Sequence, residues 1–462
     1  MSEIIELDAV GAAAAIRRGD LSAVELAHAH LDRIESLDAT LRSYVAVDRD
    51  GAVRAAEAVD RGEVAGPLAG ATFSIKDVED VAGLPTTHSC DLLVHDVAAH
   101  DGPVAGRFRA AGLVILGKSN TPEFCTSLTT SRLNGVCRNP WDTALTPGGS
   151  SGGAAAGLAA GLCSAAHGTD GAGSVRVPAA YCGLVGLKPS RGLVTFGPLE
   201  GPAYFQTSVP GVLTRSVRDA AALLDALAPP GRWTPTRPRP FLDELTREPG
   251  PLRIAITVTP PAGGVDPECE RATLAAGRVL ESLGHHVVEA TPAWEELAPA
   301  NGLPMSAPGP TALLDPADAD RVEPRNAGMV RRMSSMTLFE HARLVEATRV
   351  ATRRFMPFWD GIDVLVTPST GLMAPPAEWA MWDLDLETHN TRLGAFPALA
   401  RPFNITGQPA LSVPIGWSST GLPIGVQLAG RHLEESTLLH LAAQLEVAAA
   451  WADRLHAMTA SL

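Results

Sequence analysis

The sequence lacks the features that mark nucleic-acid-binding and membrane-spanning proteins. Its 37 Lys and Arg are outnumbered by 51 Asp and Glu, so the net charge is −14 at pH 7. A basic surface for phosphate groups or for an anionic membrane is therefore not expected. No run of about 18 apolar residues is present to span a bilayer, and the first residues, MSEIIELDAV, carry acids where a secretory signal carries bases. These absences predict a cytoplasmic protein that binds neither nucleic acid nor membrane.

Cysteine is also scarce, since only six cysteines occur in 462 residues and no two of them are spaced as C-x-x-C. This pattern argues against a zinc cluster and against a disulfide framework. No convincing cluster of metal ligands occurs elsewhere, so neither a metal nor a cofactor is expected. The hydrophobic content of 45% is high enough for a large buried core, which excludes disorder as a description of the whole chain.

Helical and strand patterns alternate along the chain. Residues 21–37 begin with Ser22 and Glu25 in a capping-box arrangement and continue with apolar residues at helical spacing, which predicts an amphipathic helix. A second helix is predicted at 266–283, and the Ala- and Gly-rich segment 154–166 is predicted to be a buried helix. Short β-rich runs lie at 71–75, 113–116, 252–258, 286–288 and 364–367. The alternation favours an α/β fold, with residues 1–462 in a single large domain.

Two motifs suggest other enzyme classes but fit them poorly. Residues 112–119 match the phosphate-loop pattern G-x-x-x-x-G-K-[ST]. The residues between the two glycines, however, form the best strand of the region, whereas a phosphate loop needs free backbone N–H groups. Residues 148–152 match the nucleophile elbow G-x-S-x-G, for which Asp363 with His389 or His432 would complete a triad. Nothing around those residues is distinctive, so neither motif is favoured as the functional one.

Serine and lysine recur in three segments that place a reactive side chain beside glycine or inside an apolar run. Lys76 follows the apolar residues 73–75, which should carry it into the interior, where burial lowers the pKa of an amine and lets it act as a base. Ser150 and Ser174 lie in glycine-rich segments. Taken singly, each residue is better explained as a solvated lysine or a turn-forming serine. Four consecutive N–H groups have the potential to converge on the oxygen of a carbonyl under attack, those of Gly171, Ala172, Gly173 and Ser174.

These segments resemble the amidase signature family of Ser-cisSer-Lys hydrolases, and the similarity extends along nearly the whole chain. Its strongest part is the block 147–192, which contains both Ser150 and Ser174. The two misleading motifs overlap family-like stretches, so the resemblance also explains them. The further family-like stretches are SIKDVEDVAGLPTT at 74–87, GKSNTPEF at 117–124, NPW at 139–141 and FNITGQPALSVPIGWSSTGLPIGVQLAGR at 403–431.

The resemblance implies a fold and a catalytic apparatus. The fold is a mixed, twisted β-sheet covered by helices on both faces, with a catalytic core at about 65–215 and a variable substrate-pocket insertion at about 295–400. Carried over residue by residue, the resemblance makes Ser174 the nucleophile, Ser150 the bridging serine after a cis peptide bond, and Lys76 the terminal base. The N–H groups at 171–174 become the oxyanion hole.

Three further residues receive expected roles from the same resemblance. Arg176 is expected to brace the nucleophile loop through an ion pair, and Cys125 and Thr126 are expected to line the substrate site. One departure concerns the oxyanion loop, where the chain has Gly171 and Ala172 instead of the usual Thr or Ile followed by Gly. If position 172 required a positive φ, the alanine would add roughly 1 kcal/mol of strain. Gly171 would open space where relatives carry a larger side chain.

The implied reaction is hydrolysis of the C–N bond of an amide. The region 305–402 is expected to supply much of the substrate pocket. We predict a hydrolase of small hydrophobic or aromatic amides, with anilides and carbamates (urethanes) in its range, that acts through an acyl-enzyme on Ser174. The region contains methionine and tryptophan residues that suit an apolar substrate but fill a core equally well, namely Met329, Met333, Met336, Met373, Trp379, Met381 and Trp382.

Two alternatives stay open at the level of the sequence. The first is a glutamine-hydrolysing amidotransferase subunit, which would need a partner protein and a charged pocket. The second is an inactive binding module on the same scaffold, which the presence of Lys76, Ser150 and Ser174 disfavours. A homodimer is also left open, because oligomeric state is not readable from the sequence.

Overall fold

The computed structural model describes residues 2–194, 207–231, 235–247, 250–302 and 313–462. The strands are β1 (Tyr44–Val47), β2 (Thr72–Lys76), β3 (Val114–Ser119), β4 (Thr130–Ser131), β5 (Gly135–Val136), β6 (Ala165–Asp170), β7 (Val185–Lys188), β8 (Val209–Thr214), β9 (Arg253–Ile256), β10 (His286–Glu289), β11 (Val364–Pro368), β12 (Ala410–Trp417) and β13 (Pro423–Gly430). An 11-stranded sheet has the order β1-β3-β2-β6-β8-β7-β12-β13-β11-β9-β10, and β4 pairs with β5 separately.

Helices lie between these strands and pack on the sheet. They are α1 (Ser2–Ile5), α2 (Ala9–Arg18), α3 (Ala23–Leu41), α4 (Arg49–Asp60), α5 (Pro103–Ala110), α6 (Gly152–Ala159), α7 (Arg176–Cys182), α8 (Val217–Leu227), α9 (Phe241–Glu244), α10 (Pro267–Ser282), α11 (Pro324–Ser335), α12 (Leu338–Phe355), α13 (Leu386–Leu393), α14 (Pro402–Thr406), α15 (Glu435–Ala449) and α16 (Trp451–Ser461). Short 3-10 turns occur at Asp91–Leu93, Glu123–Cys125, Trp294–Gly302, Pro316–Arg321 and Met356–Gly361. None of the helices in the described ranges is long and apolar enough to cross a membrane.

The sheet mixes parallel and antiparallel pairs, and its parallel part positions the site. Strand β2 pairs in parallel with both β3 and β6, with Phe73 opposite Ala165. The carboxyl ends of parallel strands lie at the same edge of a sheet. Lys76, the last residue of β2, is therefore brought close to the end of β6 and to the loop that follows it.

Side-chain alternation along the strands sends residues to two separate cores. Ile115 of β3 belongs to the core that contains α5, α8 and α15, whereas Val114 and Leu116 belong to the core that contains α3, α4 and α6. Phe73 and Ile75 of β2 face the first core, so Lys76 points toward the second face, where α6 begins. Helices thus cover both faces, and the predicted α/β fold with one mixed sheet is confirmed.

The local predictions can be compared with the observed elements. The predicted helix at 21–37 is α3, and Ser22 and Glu25 form the expected capping box. The predicted helix at 266–283 is α10, and all five β-rich runs overlap strands of the main sheet. The buried helix predicted at 154–166 is wrong at its end, because α6 stops at Ala159. Gly161 adopts a left-handed φ of 75° that ends the helix, and the apolar run continues as strand β6.

The predicted insertion at 295–400 contains α11, α12 and α13, but it also contains β11. That strand lies inside the sheet, between β13 and β9. The variable part is thus interrupted by a strand of the common core. The boundaries of the core and of the insertion stay predictions.

Candidate active site

Lys76 is completely buried, and its amine contacts two hydroxyl groups. Its Nζ donates to Ser150 Oγ at 2.7 Å and to Thr169 Oγ1 at 2.9 Å. Burial lowers the pKa of the Lys76 amine from its ordinary value, because desolvation penalises the charged form. Interactions with the Cys125 side chain and with Asp170 act in the opposite direction and are weaker. The structure thus places at the end of β2 an amine that is disposed to lose its proton.

Ser150 follows a cis peptide bond, as the resemblance implied. The bond between Gly149 and Ser150 is cis, so this expectation is confirmed. A Cβ on Gly149 would lie only 2.4 Å from the carbonyl oxygen of Ser127, so only glycine lets the two segments pack this closely. Thr129 also bonds this turn, since its Oγ1 donates to the Gly148 carbonyl at 2.9 Å and accepts from the Gly152 amide at 3.0 Å.

Ser174 lies next to this turn. The Ser151 amide donates to the Ser174 carbonyl at 3.1 Å, which holds the two serine-bearing segments together. The side chain of Ser174 is partly exposed, and its hydroxyl makes no hydrogen bond to the residues that the structure describes. The structure therefore brings Lys76, Ser150 and Ser174 into one site and leaves the Ser174 hydroxyl accessible.

Asp170 organises the loop that carries Ser174. Its carboxylate accepts the Gly173 amide at 2.7 Å and the Val175 amide at 3.1 Å. Arg176 adds two bonds, from Nη2 at 2.8 Å and from Nε at 2.9 Å, and both side chains are fully buried. Burial alone would raise the pKa of the Asp170 carboxyl, but the Arg176 guanidinium, together with Lys188 and Asn404, holds that pKa well below its usual range. The predicted loop-bracing ion pair of Arg176 is confirmed.

The oxyanion loop differs from the sequence expectation at two positions. The Gly173 amide is bonded to Asp170, so in this structure it is not free to donate to a substrate oxygen. The amides of Gly171, Ala172 and Ser174 donate to no partner within the described residues, and they keep their predicted role. The positive φ that was considered for Ala172 occurs at Gly173 instead, with a value of 115°. The glycine therefore carries the conformation that an alanine would strain.

Cys125 and Thr126 lie on opposite sides of one short turn. Cys125 is partly exposed, has a φ of 63° and interacts with the Lys76 amine. The Thr126 hydroxyl faces the insertion, where it accepts from Arg325 Nε at 2.9 Å and donates to Asn326 Oδ1 at 2.8 Å. Cys125 therefore borders the site, whereas the Thr126 hydroxyl contacts the insertion, and the contact of either residue with substrate stays a prediction.

The side chains of the two misleading motifs make structural contacts. Lys118 lies inside β3 and pairs with Asp77, with 3.1 Å between Nζ and Oδ1 and both side chains buried. His389 bonds the Ser127 hydroxyl at 3.0 Å, and His432 bonds the Gly407 carbonyl at 3.3 Å. Neither a phosphate loop nor a Ser-His-Asp triad is formed. Within the described ranges, no three His, Cys, Asp or Glu side chains are grouped so that they could hold a metal ion.

Sequence reasoning missed the residues that support the site. Thr169 contacts Lys76, and its own amide donates to Ser151 Oγ at 3.3 Å. Asn404 donates to the Asp170 side chain at 3.0 Å, and Gln427 accepts from Arg176 Nη1 at 2.6 Å. Asn404 and Gln427 lie in the family-like stretch 403–431, where the resemblance itself was the available signal. Of the predicted pocket region 305–402, residues 305–312 lie outside the described residues.

Comparisons with known proteins show similarity in sequence and in fold along nearly the whole chain. The family model described as Amidase matches residues 25–439. AmiB2 of Mycobacterium tuberculosis, a protein assigned to the amidases, is 41% identical and covers 97% of this chain and 98% of its own. The solved structure of 6-aminohexanoate cyclic dimer hydrolase has a TM-score of 0.89 at 34% identity, covering 97% and 98% of the two chains. A solved subunit of the glutamyl-tRNA(Gln) amidotransferase from Thermotoga maritima has a TM-score of 0.71 at 27% identity, covering 92% and 91%.

Proposed function

Because the chain belongs to the amidase signature family and is a hydrolase of amide C–N bonds, we propose that it cleaves small hydrophobic or aromatic amides through an acyl-enzyme on Ser174. The observation that carries the proposal is the 2.7 Å contact between the buried Lys76 amine and Ser150 Oγ. A serine hydroxyl needs a base to become a nucleophile, and a lysine serves as that base only when it is neutral. Burial lowers the pKa of Lys76 and so favours the neutral form.

The proposed reaction begins with two proton transfers. Neutral Lys76 takes the proton of the Ser150 hydroxyl, and Ser150 takes the proton of the Ser174 hydroxyl. The Ser174 oxygen then attacks the amide carbonyl and forms a tetrahedral intermediate. The same relay returns the proton to the departing nitrogen, which leaves as an amine and gives the acyl-enzyme. A water molecule deacylates the serine by the same route.

Backbone donors stabilise the charge that develops on the carbonyl oxygen. We assign this role to the free amides of Gly171, Ala172 and Ser174, because the Gly173 amide is bonded to Asp170. Each such donor is worth roughly 3 kcal/mol of transition-state stabilisation. Asp170 and Arg176 hold the loop in place without touching the substrate.

The leading substrates are linear amides, including anilides, with carbamates in the same range. A cyclic oligoamide is a second candidate, because a relative with a TM-score of 0.89 is a 6-aminohexanoate cyclic dimer hydrolase. Glutamine is a weaker candidate, because the amidotransferase subunit is less similar in both sequence and structure. Ser174 is partly exposed, which suits attack on a small molecule that enters from solvent. We also propose that the protein acts without a partner protein.

A substrate panel tests this proposal. The purified protein is incubated with p-nitroanilides, primary amides, an aryl carbamate, a cyclic diamide and glutamine, and release of amine or ammonia is measured. We expect hydrolysis of the apolar anilides and amides, and no need for an added metal or protein. Turnover of glutamine alone would contradict the proposal, and so would absence of turnover with every amide.

A further inference from the structure

A buried arginine of the insertion has hydrogen-bond donors that remain unused. Arg325 of α11 is 0% exposed, and its Nε donates to Thr126 Oγ1 at 2.9 Å. Its Nη2 lies 2.6 Å from Glu323 Oε2 as an ion pair. Neither Nη1 nor Nη2 makes a hydrogen bond of acceptable geometry to the described residues. Nη2 is held by that ion pair, whereas Nη1 has no hydrogen-bond partner among the described residues; a guanidinium donor buried without an acceptor is costly, so Nη1 points to an acceptor supplied by a ligand.

This arginine lies beside the proposed catalytic groups. Thr126, which accepts its Nε bond, directly follows Cys125, whose side chain interacts with the Lys76 amine. The next residue, Ser127, has its carbonyl packed against Gly149, immediately before Ser150. The loop at 123–128 therefore separates Arg325 from the catalytic hydroxyls by only a few residues. A substrate that is bound at Ser174 and also contacts Arg325 would therefore pass along this loop.

The charges around Arg325 select the kind of acceptor. Glu323 is paired with it, and Glu123 is also buried nearby, where its Oε2 accepts the Glu323 amide at 2.9 Å and Asn326 Nδ2 at 2.6 Å. Burial raises the pKa of Glu323 to about 7 and raises that of Glu123 as well. One guanidinium thus faces two carboxyl groups, and at pH values above their raised pKa values their two negative charges outnumber the charge of Arg325 and disfavour an anion. A neutral carbonyl oxygen accepts the remaining N–H bonds without adding negative charge.

We propose that Arg325 is a substrate-binding residue whose unused guanidinium N–H groups donate to a neutral carbonyl oxygen of the substrate, remote from the bond that is cleaved. Preferred substrates then carry a second amide or carbamate group on the acyl side. This inference deepens the proposed function and rests on it. Arg325 thereby adds a hydrogen-bonding contact to a pocket whose methionine and tryptophan residues suit an apolar substrate.

Matched substrates test the inference on the unaltered protein. Two series of straight-chain acyl p-nitroanilides are compared at varied chain length, one ending in methyl and one ending in a primary carboxamide. A third series ends in carboxylate. We expect kcat/KM at the best chain length to be about tenfold or more higher for the carboxamide than for the methyl compound, since a hydrogen bond to a charged donor is of that strength. Above pH 7, where Glu323 is ionised and opposes a further negative charge, the carboxylate series should rank below the carboxamide series.

Variants then assign the preference to Arg325. Removing Arg325 alone would leave Glu323 buried and unpaired, so the test variant combines Arg325→Met with Glu323→Gln. We expect the ratio of kcat/KM between the carboxamide and methyl compounds to fall to near unity in this variant, whatever its absolute turnover of the methyl series. Arg331→Met on the same helix is the control, because Arg331 is 62% exposed and pairs with Asp320 at the surface. This control should keep the preference.

The outcomes separate the two proposals. Hydrolysis of none of the anilides by the unaltered protein would refute the proposed function. Equal kcat/KM for methyl and carboxamide substrates in an active protein would refute the role of Arg325 alone. That role is also refuted if the folded double variant, checked by circular dichroism, retains the full preference. Because the unaltered protein already decides the question, a double variant that fails to fold does not remove the test.

Discussion

Replacing Lys76 with methionine is expected to lower turnover by orders of magnitude while it leaves the fold intact. The two side chains have similar length, so methionine fills the same buried space. The change removes the Nζ bonds to Ser150 at 2.7 Å and to Thr169 at 2.9 Å, each worth about 1 kcal/mol. It also removes an amine whose burial disfavours its charged form. We expect the free energy of unfolding to change by no more than about 2 kcal/mol.

The effect on the reaction should be much larger than the effect on stability. A general base contributes about 10²- to 10⁴-fold to the rate, so kcat should fall by that factor. In the unaltered protein only the neutral amine accepts a proton, so kcat/KM should rise with pH through the pKa of Lys76, which burial places below 10.5. Between that pKa and 10.5, Lys76 is neutral in the folded protein but protonated in the unfolded chain. The contribution of Lys76 to stability therefore also rises with pH in this range. The methionine variant should lose both dependences.

The assay compares p-nitroanilide turnover and urea unfolding in Lys76→Met and in a matched variant, Lys118→Met. Lys118 is equally buried, but it pairs with Asp77 and contacts none of the proposed catalytic residues. Its loss leaves a buried carboxylate unpaired, so unfolding should become about 3 to 5 kcal/mol easier, while the folded fraction keeps its kcat within about tenfold. The reasoning is refuted if Lys76→Met keeps more than about a tenth of kcat or keeps the pH dependence.

Three further predictions concern the supporting residues. Arg176→Met should destabilise the protein by about 3 to 5 kcal/mol in urea unfolding, because it leaves the buried Asp170 carboxylate without its ion-pair partner. A loss of stability below about 1 kcal/mol would show that the pair does not hold the loop. Gly173→Ala should lower both stability and kcat/KM, since its φ is 115° and its Cβ would lie 2.8 Å from the Ala400 Cβ. Gly171→Ala, with the nearest atom at 3.4 Å, should be tolerated, and equal effects of the two changes would count against this account. Glu323→Gln should flatten the pH dependence of stability: the Glu323 carboxyl has a pKa of about 7 when folded and an ordinary value of 4.5. The folded state then binds the extra proton between these values, so stability falls as pH rises, by about 3 kcal/mol over that window. An unchanged urea-unfolding profile from pH 4.5 to 7 in the variant would contradict this.

Much of the fold follows from local patterns in the sequence. The capping box at Ser22 and Glu25 places the start of α3, and the apolar run before Lys76 places that lysine at the end of a buried strand. The secondary structure of the segment 154–166 was harder to predict, because small apolar residues suit a buried helix and a buried strand equally. The left-handed backbone conformation of Gly161 ends the helix and lets the chain continue as a strand. The sequence alone does not predict this conformation, because a glycine inside an apolar run adopts either sign of φ.

The site was predictable where motif residues carry it and unpredictable where distant segments meet. The resemblance located Lys76, Ser150 and Ser174, which the fold brings together from three segments. The contact of Thr169 with Lys76 depends on the parallel pairing of β2 with β6, which the sequence does not specify. The same holds for Arg325, whose burial against Thr126 depends on how the insertion packs on the core. Contacts of the site join residues as many as 251 positions apart, as Arg176 and Gln427 do, beyond the reach of local periodicity.

Covalent labelling with a fluorophosphonate, followed by peptide mass spectrometry, tests the central claim most directly. The account predicts one labelled residue, Ser174, with no labelling of Ser174→Ala and much slower labelling of Lys76→Met. Labelling of Ser150 or of any other residue in place of Ser174, or an unchanged labelling rate in the Lys76 variant, would contradict it.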